Sequence, residues 1–294
     1  MIGQFLLAFR EVFEAALITA IILAYLKRTK KSAFSRYAWY GVYLASAASL
    51  VSGASIWFVY GSLAGPAKSL FEGVAALFAV SVLSYMIYWM AAKGKEIRME
   101  VEKRLETIAT RGATIALTSF SFIIVFREGL ETVLFLTPFL PKDVVGTLAG
   151  VLLGTAASVA LGYTIFVVGM RINIRKFFYF TSILLVLLAA GLTGDGVHEL
   201  IEYSEGVGIE PGWLGQHAYV LDIPKDSPLH DTGVIGSILA VMFGYTVSAE
   251  WARVIVHLAY LAIALPLVIS VYKNNGVVGK EDEDVDASIN RSYK

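Results

Sequence analysis

A chain of 294 residues that is 57% hydrophobic and only 16% charged carries more apolar surface than a soluble domain of its size buries, and its mean hydropathy of +0.67 points to a membrane protein. The 24 basic and 24 acidic residues cancel, so the charge balance selects no partner, and the absence of cysteine excludes disulfides and thiolate metal sites. The first apolar run starts at Ile2, holds three charges and lacks a basic leader region, so it is expected to be a permanent span rather than a cleaved signal.

Seven apolar runs long enough for a bilayer core of roughly 30 Å follow one another, over residues 2–26, 38–60, 69–92, 113–138, 144–170, 177–194 and 249–272. Within the first lies Phe9-Arg10-Glu11-Val12-Phe13-Glu14. The fourth repeats the pattern as Phe126-Arg127-Glu128-Gly129-Leu130-Glu131. At helical spacing the charges of each motif share one face. Each would cost about 2.5–3.5 kcal/mol at the centre of a lipid-exposed helix, so they must face protein, water or one another. Charges placed there mark an ion path more often than a purely structural ion pair.

The second and fifth runs also align. Gly41, Ala48, Ser49 and Gly53 match Gly150, Ala157, Ser158 and Gly162, and both runs carry small residues every fourth position that let backbones approach closely. The expected architecture is therefore all-α: a polytopic membrane bundle of seven transmembrane helices, a 3+3 inverted repeat plus one. Repeat one covers about 1–92 and repeat two about 113–200. Between them, Lys93 to Arg111 mixes charges at helical spacing and is expected to be a solvated cytoplasmic helix.

Glu72 opens the third run, either on an access path or as a first-turn cap. An acidic outer loop is expected over about 194–232, with Asp195, Glu199, Glu202, Glu205 and three of the four histidines, His198, His217 and His230. Its charge would concentrate cations. His198 and Glu199 do not open a zinc-protease helix, because Glu202 stands where the second histidine belongs. Residues 233–243 are apolar but too short to span. In the last span, over about 249–272, Glu250, Arg253 and His257 are spaced to pair with one another. The acidic tail, 273–294, is expected to be disordered.

Basic residues orient the bundle. Lys27, Arg28, Lys30, Lys31 and Arg36 follow span one; Lys93, Lys95, Arg98, Lys103, Arg104 and Arg111 follow span three; Arg171, Arg175 and Lys176 follow span five; Lys273, Lys280, Arg291 and Lys294 lie in the tail. Only Lys68, Lys142 and Lys225 fall on the other side, which puts the amino terminus outside and the carboxyl terminus in the cytoplasm. Spans one and four then run antiparallel, with Glu11, Glu14, Glu128 and Glu131 all roughly 12–18 Å deep. Inverted repeats place transport sites at such a level.

With paired Arg-Glu-x-x-Glu motifs on spans one and four, a Gly-Val-His-Glu-Leu run at 196–200 and Phe-Gly-Tyr at 243–245, the chain resembles the high-affinity iron permease family. That family includes a fungal permease that works with a multicopper ferroxidase, and bacterial oxidase-linked relatives. The resemblance implies a plasma-membrane, multi-pass importer of iron, Fe³⁺ delivered by an extracytoplasmic ferroxidase or other iron-binding partner. It implies Glu11, Glu14, Glu128 and Glu131 as metal ligands and Arg10 and Arg127 as supporting charges. Glu72, His198, Glu199 and Glu202 are expected to extend the access path. The fungal Asp-Ala-Ser-Glu run is not carried over, because Asp286-Ala287-Ser288 is followed by Ile289. Carboxylate oxygens alone fit a hard cation such as Fe³⁺. No enzymatic activity, permanently bound cofactor or nucleic-acid partner is expected; the partners are the transported iron and the bilayer. The alternative is a proton-coupled carrier for another divalent metal or an organic cation. A carboxylate-bridged oxidase would need Glu-x-x-His pairs, which the motifs lack.

Overall fold

The computed structural model describes residues 1–93, 97–110, 114–166, 174–224, 226–230 and 233–292. Lys95, Glu96, Arg111, Arg171, Lys225, Asp231, Thr232 and Lys294, like the end of the fifth run from residue 167, lie outside the described residues. In lipid a backbone must satisfy its own hydrogen bonds, and the apolar runs accordingly form long helices. These are α1 Ile2–Arg28, α2 Ser35–Ser62, α3 Pro66–Lys93, α4 Ile97–Thr110, α5 Thr114–Leu136, α6 Val144–Phe166, α7 Ile174–Gly206, α8 Val234–Phe243 and α9 Trp251–Ser292. One short antiparallel pair, β1 His217–Val220 with β2 Ser248–Glu250, sets His217 opposite Glu250.

Among the described residues, five segments are long and apolar enough to cross a membrane: Ser32–Ser62, Pro66–Lys93, Val144–Ile165, Lys176–Gly206 and Trp251–Asn274. The chain is thus an all-α polytopic membrane protein. Helices α1 and α5, of 27 and 23 residues, are comparably long but each holds the three charges of its motif.

Packing follows the small residues. Helix α1 lies along α6, α2 along α5, and α3 along α7, while α1 and α5 meet each other. A methyl group at Gly41 would fall 2.5 Å from the Thr118 carbonyl, 2.8 Å from Ser121 Cβ and 2.9 Å from Phe122 N. At Gly150 it would fall 2.8 Å from the Met1 carbonyl, 3.0 Å from Gln4 Cβ and 3.0 Å from Phe5 N. Gly146, at the start of the same stripe, does not serve helix packing. Its N–H donates to Asp143 Oδ1 at 2.8 Å and so caps α6.

The structure corrects several expectations. Residues 194–206 are helix rather than loop, so Asp195, His198, Glu199, Glu202 and Glu205 ride on the last turns of α7. Two glycines there are packing points: Gly194 lies under Arg253 and Gly196 against Leu77 and Ala76. Helix α4 is solvated on one face only, because Val101 and Leu105 are buried against Ile18, Ile22 and Leu117. Glu250, Arg253 and His257 do not pair with one another. Glu250 belongs to β2 and turns to His198, Arg253 reaches Asp195, and His257 fills the space over Gly244, whose positive φ of 64° ends α8. Helix α9 continues through the acidic tail to Ser292, with its one proline, Pro266, well before the tail.

Two buried apolar clusters bracket the centre. Leu7, Leu83, Phe135, Leu185, Leu188 and Leu192 form one, and Ile18, Ile22, Leu26, Ala38 and Leu117 belong to the other. Along α1 and along α5 alike, the charged motif falls between them.

Candidate functional site

Both motifs lie mid-helix where α1 meets α5, and helical spacing brings each arginine over its own glutamates. Arg10 is 1% exposed; its Nη1 lies 2.8 Å from Glu11 Oε1 and its Nη2 2.8 Å from Glu14 Oε1. Nη1 also points at Met86 Sδ on α3. Glu11 and Glu14 are 0% and 4% exposed. In the second motif Arg127 Nη2 is 2.5 Å from Glu128 Oε1, but its Nε stands 3.5 Å from Glu131 Oε1. The Arg127 side chain is 52% exposed and lies 5.9 Å from the ring centre of Trp89.

Three of the four predicted ligands converge. One carboxylate oxygen each from Glu11, Glu128 and Glu131 lies within 4.8 Å of the others, the only such group of three among the described residues. Oε2 of each of these glutamates is buried without a hydrogen-bond partner. A buried carboxylate oxygen left bare is costly, and a cation shared by the three would satisfy them all. Glu14 is not in this set; its Oε1 forms an ion pair with Arg10 Nη2 at 2.8 Å, although neither atom has a hydrogen-bond partner. The supporting arginines thus differ, one sealed in and one half open.

The surroundings fix this geometry. Gly129 lets α5 approach α2, since a Cβ there would collide with Ser49 Oγ. Ser158, which aligns with Ser49, donates a hydrogen bond to the Phe9 carbonyl one residue before Arg10.

A second charged group occupies the carboxyl-terminal end of α7. Asp195 takes Arg253 Nη2 at 2.5 Å and Lys142 Nζ at 3.1 Å, and Lys142 stands 3.6 Å from Glu199 Oε1. Burial works against the charge on Lys142, but Asp195 and Glu199 outweigh it and hold the ammonium above its ordinary pKa. Glu72 accepts the Tyr60 hydroxyl at 2.7 Å, beyond the first turn of α3, so it is not a cap. Ser69 reaches Glu202 at 3.3 Å. Of the expected access residues, Glu199 sits near Glu72 and Glu202, whereas His198 turns away to Glu250 at 3.0 Å. The sequence carried no signal for the Lys142–Asp195–Arg253 network or for Met86, because their partners come from separate elements.

Known proteins resemble this chain along most of its length. The profile of the Iron permease FTR1 family matches residues 1–270. An uncharacterized protein of Archaeoglobus fulgidus is 46% identical over 272 residues, 92% of this chain and 96% of its own length. The ferrous iron permease EfeU of Yersinia pestis is 33% identical over 270 residues, 91% of this chain and 93% of its own. That of Escherichia coli O6:K15:H31 is 32% identical over 268 residues, covering 90% and 94%. No solved structure matches.

Proposed function

The chain belongs to the iron permease FTR1 family, as a multi-pass membrane transporter and not an enzyme, and from that premise we propose that it imports iron through the carboxylates gathered between α1 and α5. The observation that carries this reading is the buried trio Glu11, Glu128 and Glu131, with one oxygen of each within 4.8 Å of the others and the Oε2 of each without a hydrogen-bond partner. All-oxygen ligation suits a hard or borderline cation such as iron. Arg10 and Arg127 offset part of the negative charge without binding the cation.

Seven spans belong to this reading, with α1 and α5 crossing as well. Both are long enough, and their charges are answered inside the protein rather than by lipid. The inverted repeat belongs to it too. The pairing of α1 with α6 and of α2 with α5 is the same contact under exchange of the two halves, and Gly41 and Gly150 meet corresponding atoms of α5 and α1. The basic loops put the amino terminus outside, so Glu72, Glu199 and Glu202 lie toward the outer face as an access path.

Fe³⁺ handed over by an extracytoplasmic ferroxidase is the first reading of the ion, from the hard donor set. Fe²⁺ is the second, favoured by the names that the Yersinia and Escherichia relatives carry. Iron uptake into oriented vesicles with a membrane-impermeant Fe²⁺ chelator outside tests both. Ferric transport continues under the chelator and ferrous transport stops. Absence of iron uptake both with and without the chelator, with the protein intact, contradicts the proposed function.

A further inference from the structure

We propose that the third carboxylate on the ion changes identity during transport: Glu131 in the state of this structure, Glu14 in the state open to the other side, with Glu11 and Glu128 holding the ion in both. This rests on the reading of the two motifs as one iron site in an inverted repeat. Exchanging the halves equates Glu11 with Glu128 and Glu14 with Glu131. The trio Glu11, Glu128 and Glu131 therefore maps onto Glu128, Glu11 and Glu14. Two ligands are common to both sets and one alternates.

The two halves are caught in different conditions. Glu14 is held by a sealed guanidinium at 2.8 Å, whereas Glu131 is 3.5 Å from an arginine whose side chain is 52% exposed. Glu11 and Glu128 meet an arginine just as closely through Oε1 and still join the trio, so what sets Glu14 apart is that its ion pair leaves it outside the trio while the loosely held Glu131 lies inside it. Arg10 and Arg127 then act as alternate latches: closing Arg127 on Glu131 withdraws one ligand as release of Glu14 from Arg10 supplies another. The count of ligating carboxylates stays constant, so the ion is not stranded in the apolar interior between states.

The packing permits such an exchange. Backbone-to-backbone approaches at Gly41, Gly150 and Gly154 join α2 to α5 and α6 to α1 as two tight pairs. Rocking concentrates where α1 and α5 face each other, at the carboxylates. The loosened side lies under Trp89, four residues before the basic end of α3 at Lys93. With the basic loops cytoplasmic, this state opens inward past Arg127 and Glu131.

The test separates binding from turnover, using ⁵⁵Fe²⁺ kept reduced with ascorbate. Equilibrium binding is measured in detergent and counterflow in liposomes, for preparations that stay monodisperse. Glu14→Gln and Glu131→Gln each retain one complete trio and should bind within about threefold of wild type, the effect of removing roughly half of the competent population. Neither should support counterflow. Glu11→Gln, Glu128→Gln and the Glu14→Gln/Glu131→Gln double variant should bind at least about tenfold more weakly. Losing one unit charge beside a divalent ion exceeds the roughly 1.4 kcal/mol of a tenfold change even at the dielectric of water. If Glu14→Gln or Glu131→Gln alone weakens binding as much as Glu11→Gln does, the ligand set is fixed and the exchange is wrong while the shared site stands. If all variants, the double included, bind like wild type, the shared site itself is wrong.

Discussion

Replacing each arginine by alanine separates the two motifs by stability as well as by transport. Arg10 is 1% exposed and stands 2.8 Å from both Glu11 and Glu14, themselves 0% and 4% exposed. Arg10→Ala leaves two buried carboxylates uncompensated, and removing one partner of a buried pair costs about 3–5 kcal/mol. The Arg127 side chain is 52% exposed and its contact to Glu131 is 3.5 Å, but it also stands 2.5 Å from the buried Glu128, so its loss strands one buried carboxylate rather than two and should cost less, about 1–2 kcal/mol. At a few degrees per kcal/mol, the two variants should differ on the order of 10 °C in melting temperature. Tryptophan-fluorescence melting in one detergent measures this directly. The Arg10→Met/Glu14→Gln double variant should regain much of the loss, because both charges leave together, yet stay inactive. Equal melting of Arg10→Ala and Arg127→Ala would refute the assigned burial and the latch asymmetry built on it.

Gly150→Ala and Gly41→Ala should each lower stability by about 1–3 kcal/mol through overpacking against backbone atoms, and a thermal shift of zero for both would show that these helix pairs are not tight. Neutralising Glu199, Glu202 and Glu205 together should weaken uptake mainly at low metal and low salt, since steering reaches only a Debye length of about 8 Å at physiological ionic strength; uptake kinetics at two salt concentrations check it. A tag before Met1 should be reachable from outside intact cells, and one after Lys294 only after permeabilisation; equal access to both from one face contradicts the seven-span orientation.

The two motifs were legible because charge is expensive in an apolar helix, so Arg10, Glu11 and Glu14 and their counterparts stand out without any structure. Which glutamates converge was not. That depends on the rotation of α1 against α5 and on which carboxylate its arginine captures, and periodicity cannot tell Glu14 from Glu131. The end of α7 was misread because its acidic residues and histidines looked like a solvated loop, whereas the helix continues to Gly206, with Gly194 and Gly196 packed against Arg253 and Leu77. Expecting Glu250 to pair along its own helix failed for a related reason. Spacing rules apply only within one helix, and Glu250 sits in a strand that presents it to His198. The buried face of α4 was hidden by its charges, since only the apolar stripe of Val101, Leu105 and Ile108, set between those charges, makes the contact.

The central claim is that the carboxylates between α1 and α5 carry the iron. Its most direct measurement is counterflow of radioactive iron in liposomes by Glu128→Gln, which keeps the side-chain volume while removing one charge from the buried trio. Uptake should fall to the level of empty liposomes while the variant inserts, stays monodisperse and melts no lower than wild type. Full uptake by Glu128→Gln would contradict the claim.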